Sequence, residues 1–232
     1  MRTRHVVGTG LAALALVAMP LALYAVFFIA PMEKVMGMAQ KIFYIHVAAA
    51  MNMLLAFGVC GVASVLFLAV RSTRVRRVAD AVSVATAEVG VMLGAIVLST
   101  GPLWAKKAWG TWWTFEPRLT LSLLVFFLFL AYLALRAFAG SERFGRSVAA
   151  GLAVMGLPGI YFIHVAVERF GGAHPQVVYK GGLSVPGMVL AFWLSVVAMA
   201  LLSASLAWQR AALELKSGQV DALFLDLDRR AS

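Results

Sequence analysis

Residues 104–120 read Trp104-Ala-Lys-Lys-Ala-Trp109-Gly-Thr-Trp112-Trp113-Thr-Phe115-Glu116-Pro-Arg118-Leu-Thr120, a short polar and aromatic break between two long apolar runs. Each flanking run is long enough to cross a bilayer, so the stretch reads as the exposed turn of a membrane hairpin. If it is helical, Trp109, Trp112, Trp113 and Glu116 fall at i, i+3, i+4 and i+7. Three indoles would then share one face with a carboxylate below them, forming an aromatic shelf. The plainer reading is an interfacial belt, since Trp favours the headgroup level of a bilayer. The rest of the chain decides between the two.

Of 232 residues, 62% are hydrophobic and 13% charged, against roughly a quarter charged in soluble domains. Mean hydropathy is +0.91. This is the composition of an all-α polytopic membrane protein. The net charge of +10 would point to nucleic acid in a soluble chain, but here the basic residues cluster in the connections between apolar runs and report topology instead. Nucleic acid is not an expected partner. The single cysteine, Cys60, lies in an apolar run, which excludes a disulfide, a Cys-pair metal site and covalent haem attachment through C-x-x-C-H. Any cofactor is expected to be held non-covalently.

Six spans follow from hydropathy, near residues 8–30, 41–70, 79–103, 119–138, 147–167 and 185–208. Together they form one domain over residues 1–232: a six-helix bundle at about 8–208 and a tail, 209–232, that mixes both charge signs and reads as a short helix or a solvated segment. The first span is too long for a cleavable signal and is expected to be retained. Lys and Arg number 13 at the N-terminus, the 71–78 and 136–147 connections and the tail, against 7 on the opposite side. The positive-inside rule therefore puts both termini in the cytoplasm and the tryptophan stretch outside, with the 31–40 and 168–184 connections.

Two histidines lie inside apolar runs, and their surroundings repeat: Ile42-Phe-Tyr-Ile-His46-Val-Ala48 and Ile160-Tyr-Phe-Ile-His164-Val-Ala166, with five of seven positions identical and the other two exchanging Phe and Tyr. His46 is near the start of an inward helix and His164 near the end of an outward one, so both imidazoles are expected in the outer leaflet beside the tryptophans. A lone intramembrane His is usually satisfied by a neighbouring helix. A repeated pair at one depth fits the two axial ligands of a haem, with Ala49 and Ala50 leaving room beside His46 and Glu168 at i+4 from His164 as an orienting carboxylate. Zinc fits less well, because the outer face offers no Cys and only one more His, His174, which reads as a loop residue, as His5 reads as a cytoplasmic one. Lys106, Lys107, Arg118, Arg169 and Lys180 are available to the propionates. Glu88, inside the third span, is either functional or a protonated packing residue.

The segment Trp109 to Thr120 resembles the tryptophan-rich WWD signature of haem-handling proteins in cytochrome c maturation. With six spans, IFYIH at 42–46 and IHVAVE at 163–168, the chain resembles the CcmC, or haem exporter protein C, family. The resemblance implies that Trp109, Trp112 and Trp113 cradle haem b, that His46 and His164 ligate its iron, and that the haem is loaded onto the periplasmic chaperone CcmE. Trp104, Phe115, Glu116 and Arg118 complete the candidate site. Phe115 and Glu116 depart from the signature, where Trp and Asp are usual, yet keep a stacking face and a charge. The resemblance also implies an inner-membrane assembly with the ATPase CcmA, the membrane subunit CcmB and the small subunit CcmD, and a role that is not enzymatic. The rival readings are a b-type cytochrome with two axial histidines and the permease subunit of a haem transporter.

Overall fold

In a computed structural model, which describes residues 2–139, 142–175, 177–178, 182–183 and 185–231, the described chain is helical throughout its long elements. The helices are α1 (Arg2–Tyr24), α2 (Lys41–Ala69), α3 (Thr73–Trp109), α4 (Pro117–Ala139), α5 (Arg143–Phe170) and α6 (Pro186–Ala231). A π-helical turn, Ala25–Ile29, ends α1, and a 3-10 turn, Met38–Gln40, leads into α2. All six are long and apolar enough to cross a membrane. Water is absent from the bilayer core, so the backbone there must satisfy itself, and the helix is the form that does so within one segment.

α2 is the central helix, packed against α3, α5 and α6, while α4 closes on α5 and α1 lies along α6. Its buried face carries Ala48, Ala49, Ala56, Gly61, Ala63 and Ser64, small residues that let neighbouring backbones approach closely. Large rings fill the gaps that glycines leave. The rings of Phe57 and Phe129 stack with centroids 4.0 Å apart and planes within 4°, both fully buried. A Cβ on Gly90 of α3 would stand 2.4 Å from the Phe57 ring, and one on Gly156 of α5 would stand 2.7 Å from that of Phe129. At the end of α1, the buried Lys41 ammonium donates to the Ala30 carbonyl.

The end of the bundle away from the tryptophans is tied by charge. Asp80 accepts from Arg136 at 3.1 Å and from Arg146 at 2.8 Å, joining α3 to α4 and α5. Arg210 on α6 reaches Glu88 at 2.7 Å and Glu214 at 2.9 Å. Glu88 is therefore an ion-pair partner of Arg210. Two other expectations change. The third helix begins at Thr73 and not near 79, because Arg74, Arg76 and Arg77 extend it beyond the apolar run. Residues 209–231 are not a separate tail element, since α6 continues unbroken to Ala231 with Arg210 and Glu214 pairing along it.

Gly90→Val should force the Phe57 ring aside at a cost of about 1–3 kcal/mol, read as a lower midpoint of thermal unfolding in detergent. Gly58→Ala, whose new Cβ meets nothing within 4 Å, should leave the midpoint unchanged or slightly raised.

Candidate functional site

At the tryptophan end, α2, α3, α4, α5 and the segment after α5 enclose a half-open cavity of about 230 Å³. A single water or ion needs only about 10–15 Å³, so the cavity is far larger than an ion requires. Its walls are mostly apolar and aromatic, with Phe43, Trp104, Trp109 and Trp113 among them. Its polar lining is His46 from α2, Arg118 and Ser122 from α4, His164 from α5 and His174 from the following segment. Among the described residues, no three His, Cys, Asp or Glu converge to cage a metal ion.

The local folding explains which aromatic side chains arrive. α3 does not run through the tryptophan stretch; it stops at Trp109, where Gly110 turns left-handed at φ 75°, a conformation that costs glycine nothing. Lys106 donates to the Gly110 carbonyl at 2.9 Å, covering the helix end. Residues 111–116 are irregular, and α4 begins at Pro117, a residue suited to the first helical position. The single helical shelf is thus replaced by a broken one. Trp104 and Trp109, at the end of α3, meet edge to face at 5.4 Å and line the cavity with Trp113. Trp112 is 55% exposed and lies outside the lining, with the Lys106 ammonium 5.8 Å from its ring centre. Phe115 is 87% exposed and belongs to a shallow outer groove with Leu98, Pro102, Trp113 and Leu123.

Glu116 does not line the cavity. Its buried carboxylate accepts from the Ala173 amide at 2.7 Å, fastening the segment after α5 to the entry of α4. Gly172 passes so close, at φ 145°, that a Cβ there would lie 2.9 Å from Glu116 Oε2. That fastening carries His174 to the cavity. His174 Nδ1 stands 3.7 Å from Glu116 Oε1, too far for a hydrogen bond. Burial, then the Arg118 guanidinium, then His46 push the His174 pKa down to about 3. The imidazole is therefore neutral at physiological pH and the contact is not an ion pair.

His46 and Thr100 of α3 are joined by a 2.9 Å hydrogen bond between Nδ1 and Oγ1. A Cβ on Gly101 would lie 3.2 Å from His46 Cε1, so glycine makes room for the ring. Pro102 follows and also lines the cavity. His164 sits at the exposed rim, one residue past the buried Ile163. The antiparallel run of α2 and α5 thus brings His46 and His164 to the same end of the bundle, as their repeated motif implies. Of the basic residues considered for an anionic ligand, Arg118 alone lines the cavity among the described ones; Lys180 lies outside the described residues. Sequence reasoning missed Thr100 and set His174 aside. The available signals were Thr-Gly-Pro at 100–102, poor helix formers late in an apolar run, and His174-Pro175 in a polar connection.

The sequence profile of the family described as CcmC, Heme exporter protein C, matches residues 1–224. The chain belongs to that family. A relative named Heme exporter protein C from Escherichia coli strain K12 is 29% identical over 184 residues, 79% of this chain and 74% of its own length. One of the same name from Haemophilus influenzae is 29% identical over 164 residues, 69% of this chain and 65% of its own length. That from Rhodobacter capsulatus is 36% identical over 109 residues, 47% of this chain and 43% of its own. The match thus spans somewhat under two thirds of the length of the Haemophilus relative and under half of the Rhodobacter one. With six apolar helices, this family member is a multi-pass inner-membrane protein.

Because a hydrogen bond to a charged acceptor contributes about 1.5–3 kcal/mol, Glu116→Ala should speed amide exchange at Ala173 on the order of ten- to a hundredfold. Glu116→Gln retains an acceptor and should change it much less. Hydrogen exchange of the peptide covering 171–175 measures both.

Proposed function

We propose that this protein binds haem non-covalently at the periplasmic face and presents it to the chaperone CcmE during cytochrome c maturation. The observation that carries this reading is the convergence of imidazoles and one guanidinium inside a tryptophan-walled apolar cavity too large for an ion. Neutral imidazole is a good donor to haem iron, the indoles offer faces to a porphyrin, and Arg118 offers a planar charged fork to a propionate. The role is carriage and not catalysis. Family membership supports an assembly with CcmA, CcmB and CcmD. The excess of Lys and Arg at the other end supports an outward-facing cavity.

His46 is one axial ligand in this reading. For the other, the sequence repeat favours His164, but the geometry favours His174. His174 is half-buried, held over the cavity by the Glu116 fastening, and its Nδ1 has no hydrogen-bond partner among the described residues. A carboxylate 3.7 Å from that Nδ1 favours the proton there and leaves Nε2 to donate, the arrangement in which carboxylates commonly orient metal-binding histidines. Against the b-type cytochrome, the site opens beside the exposed Trp112 and Phe115 at the end of the bundle, where a second protein can reach its edge.

The purified protein should show a six-coordinate low-spin haem spectrum that is lost in His46→Ala and in His174→Ala but kept in His164→Ala. The reverse result for the last two would restore the pair given by the repeat. Handover is tested with Trp112→Ala, which lies outside the cavity lining. Its haem content should stay within twofold of wild type while covalent haem on co-expressed CcmE falls severalfold. Unchanged loading would make Trp112 part of an interfacial belt and nothing more.

A further inference from the structure

The contact between His46 and Thr100 constrains more than position. Thr100 Oγ1 lies 2.6 Å from the Ile96 carbonyl one turn earlier in α3, and 2.9 Å from His46 Nδ1. A hydroxyl has one proton. Two oxygens at 2.6 Å with no proton between them repel, so the hydroxyl donates to Ile96, the common back-bond of a helical threonine. Toward His46, Oγ1 then has only lone pairs to offer. The bond at 2.9 Å requires a proton on Nδ1, and a neutral imidazole protonated there carries its lone pair on Nε2.

We infer that Thr100 is a positioning residue that holds His46 in its Nδ1–H tautomer and presents Nε2 as the donor in the cavity. The inference rests on the haem-carrying reading for its purpose but not for its geometry, which is present in the protein without haem. Three consecutive residues of α3 serve it: Thr100 fixes the proton, Gly101 leaves 3.2 Å between its absent side chain and the ring, and Pro102 walls the cavity beside them. Valine at position 100 keeps the shape of threonine and removes the acceptor, so the ring would return to the Nε2–H form that neutral imidazole otherwise prefers and would have to change tautomer before donating to iron. Serine keeps the acceptor.

The test uses the full-length protein labelled with ¹⁵N-histidine in detergent above pH 7, first without haem and then titrated with haemin. His46→Ala identifies the His46 resonances. Wild type and Thr100→Ser should show the Nδ1–H pattern for His46, and Thr100→Val a shift toward Nε2–H. On titration, Thr100→Val should bind haemin about tenfold more weakly, the lower end for loss of a partner that orients a ligating histidine, with a reduced low-spin fraction that serine restores. A wild-type His46 protonated on Nε2, or a valine variant with unchanged tautomer, overturns the inference even if haem binds normally. If the tautomer responds as expected and wild type binds no haemin, the assignment of Thr100 is upheld and the haem-carrying reading falls.

Discussion

Everything at the cavity depends on how closely α2 and α3 approach. Between helices in hydrocarbon there is little hydrophobic gain to be had, because lipid is as apolar as the side chains, so contact has to come from shape. Here shape means rings seated over glycines: Phe57 over Gly90 and Phe129 over Gly156, with the two rings stacked on each other. That column locks α2, α3, α4 and α5 at mid-depth. His46 and Thr100 meet about three helical turns beyond that column, on the same two helices it holds together.

The two ends of the bundle are finished in opposite ways. One is tied by ion pairs, Asp80 with Arg136 and Arg146, and Glu88 with Arg210, although Arg136 Nε is left without a hydrogen-bond partner among the described residues. A buried charge is tolerable only when so paired. At the other end His174 Nδ1, Glu116 Oε1 and Thr120 Oγ1 are buried without a hydrogen-bond partner among the described residues. Unsatisfied groups are costly in a structure that has no use for them. Of these three, His174 is the one that lines the cavity.

The six spans were legible because bilayer thickness fixes their length, and the shared end of His46 and His164 because antiparallel helices reverse depth. Helix ends were less so. Gly110 stops α3 inside the tryptophan run, and this turned one imagined shelf into three lining indoles and an outlying Trp112. Arg210 extends α6 because Glu88 waits for it across the bundle, a pairing of residues 122 positions apart that no local pattern encodes. His174 reads as a loop residue in the sequence, yet it lines the cavity. Its place depends on Glu116 capturing the Ala173 amide across 57 positions, so a histidine that reads as loop becomes wall.

α3 spans both ends without a break. Glu88, in the charged clasp, and Thr100, at the imidazole, are twelve residues apart, about 18 Å along a helix. Over that arm a tilt of about 3° about Glu88 swings Thr100 by roughly 1 Å. A 2.9 Å hydrogen bond has only about 0.6 Å of slack before it ceases to be one. The bond at the cavity therefore tolerates almost no tilt of α3, and the ring column seated beside Gly90 is what denies it that tilt.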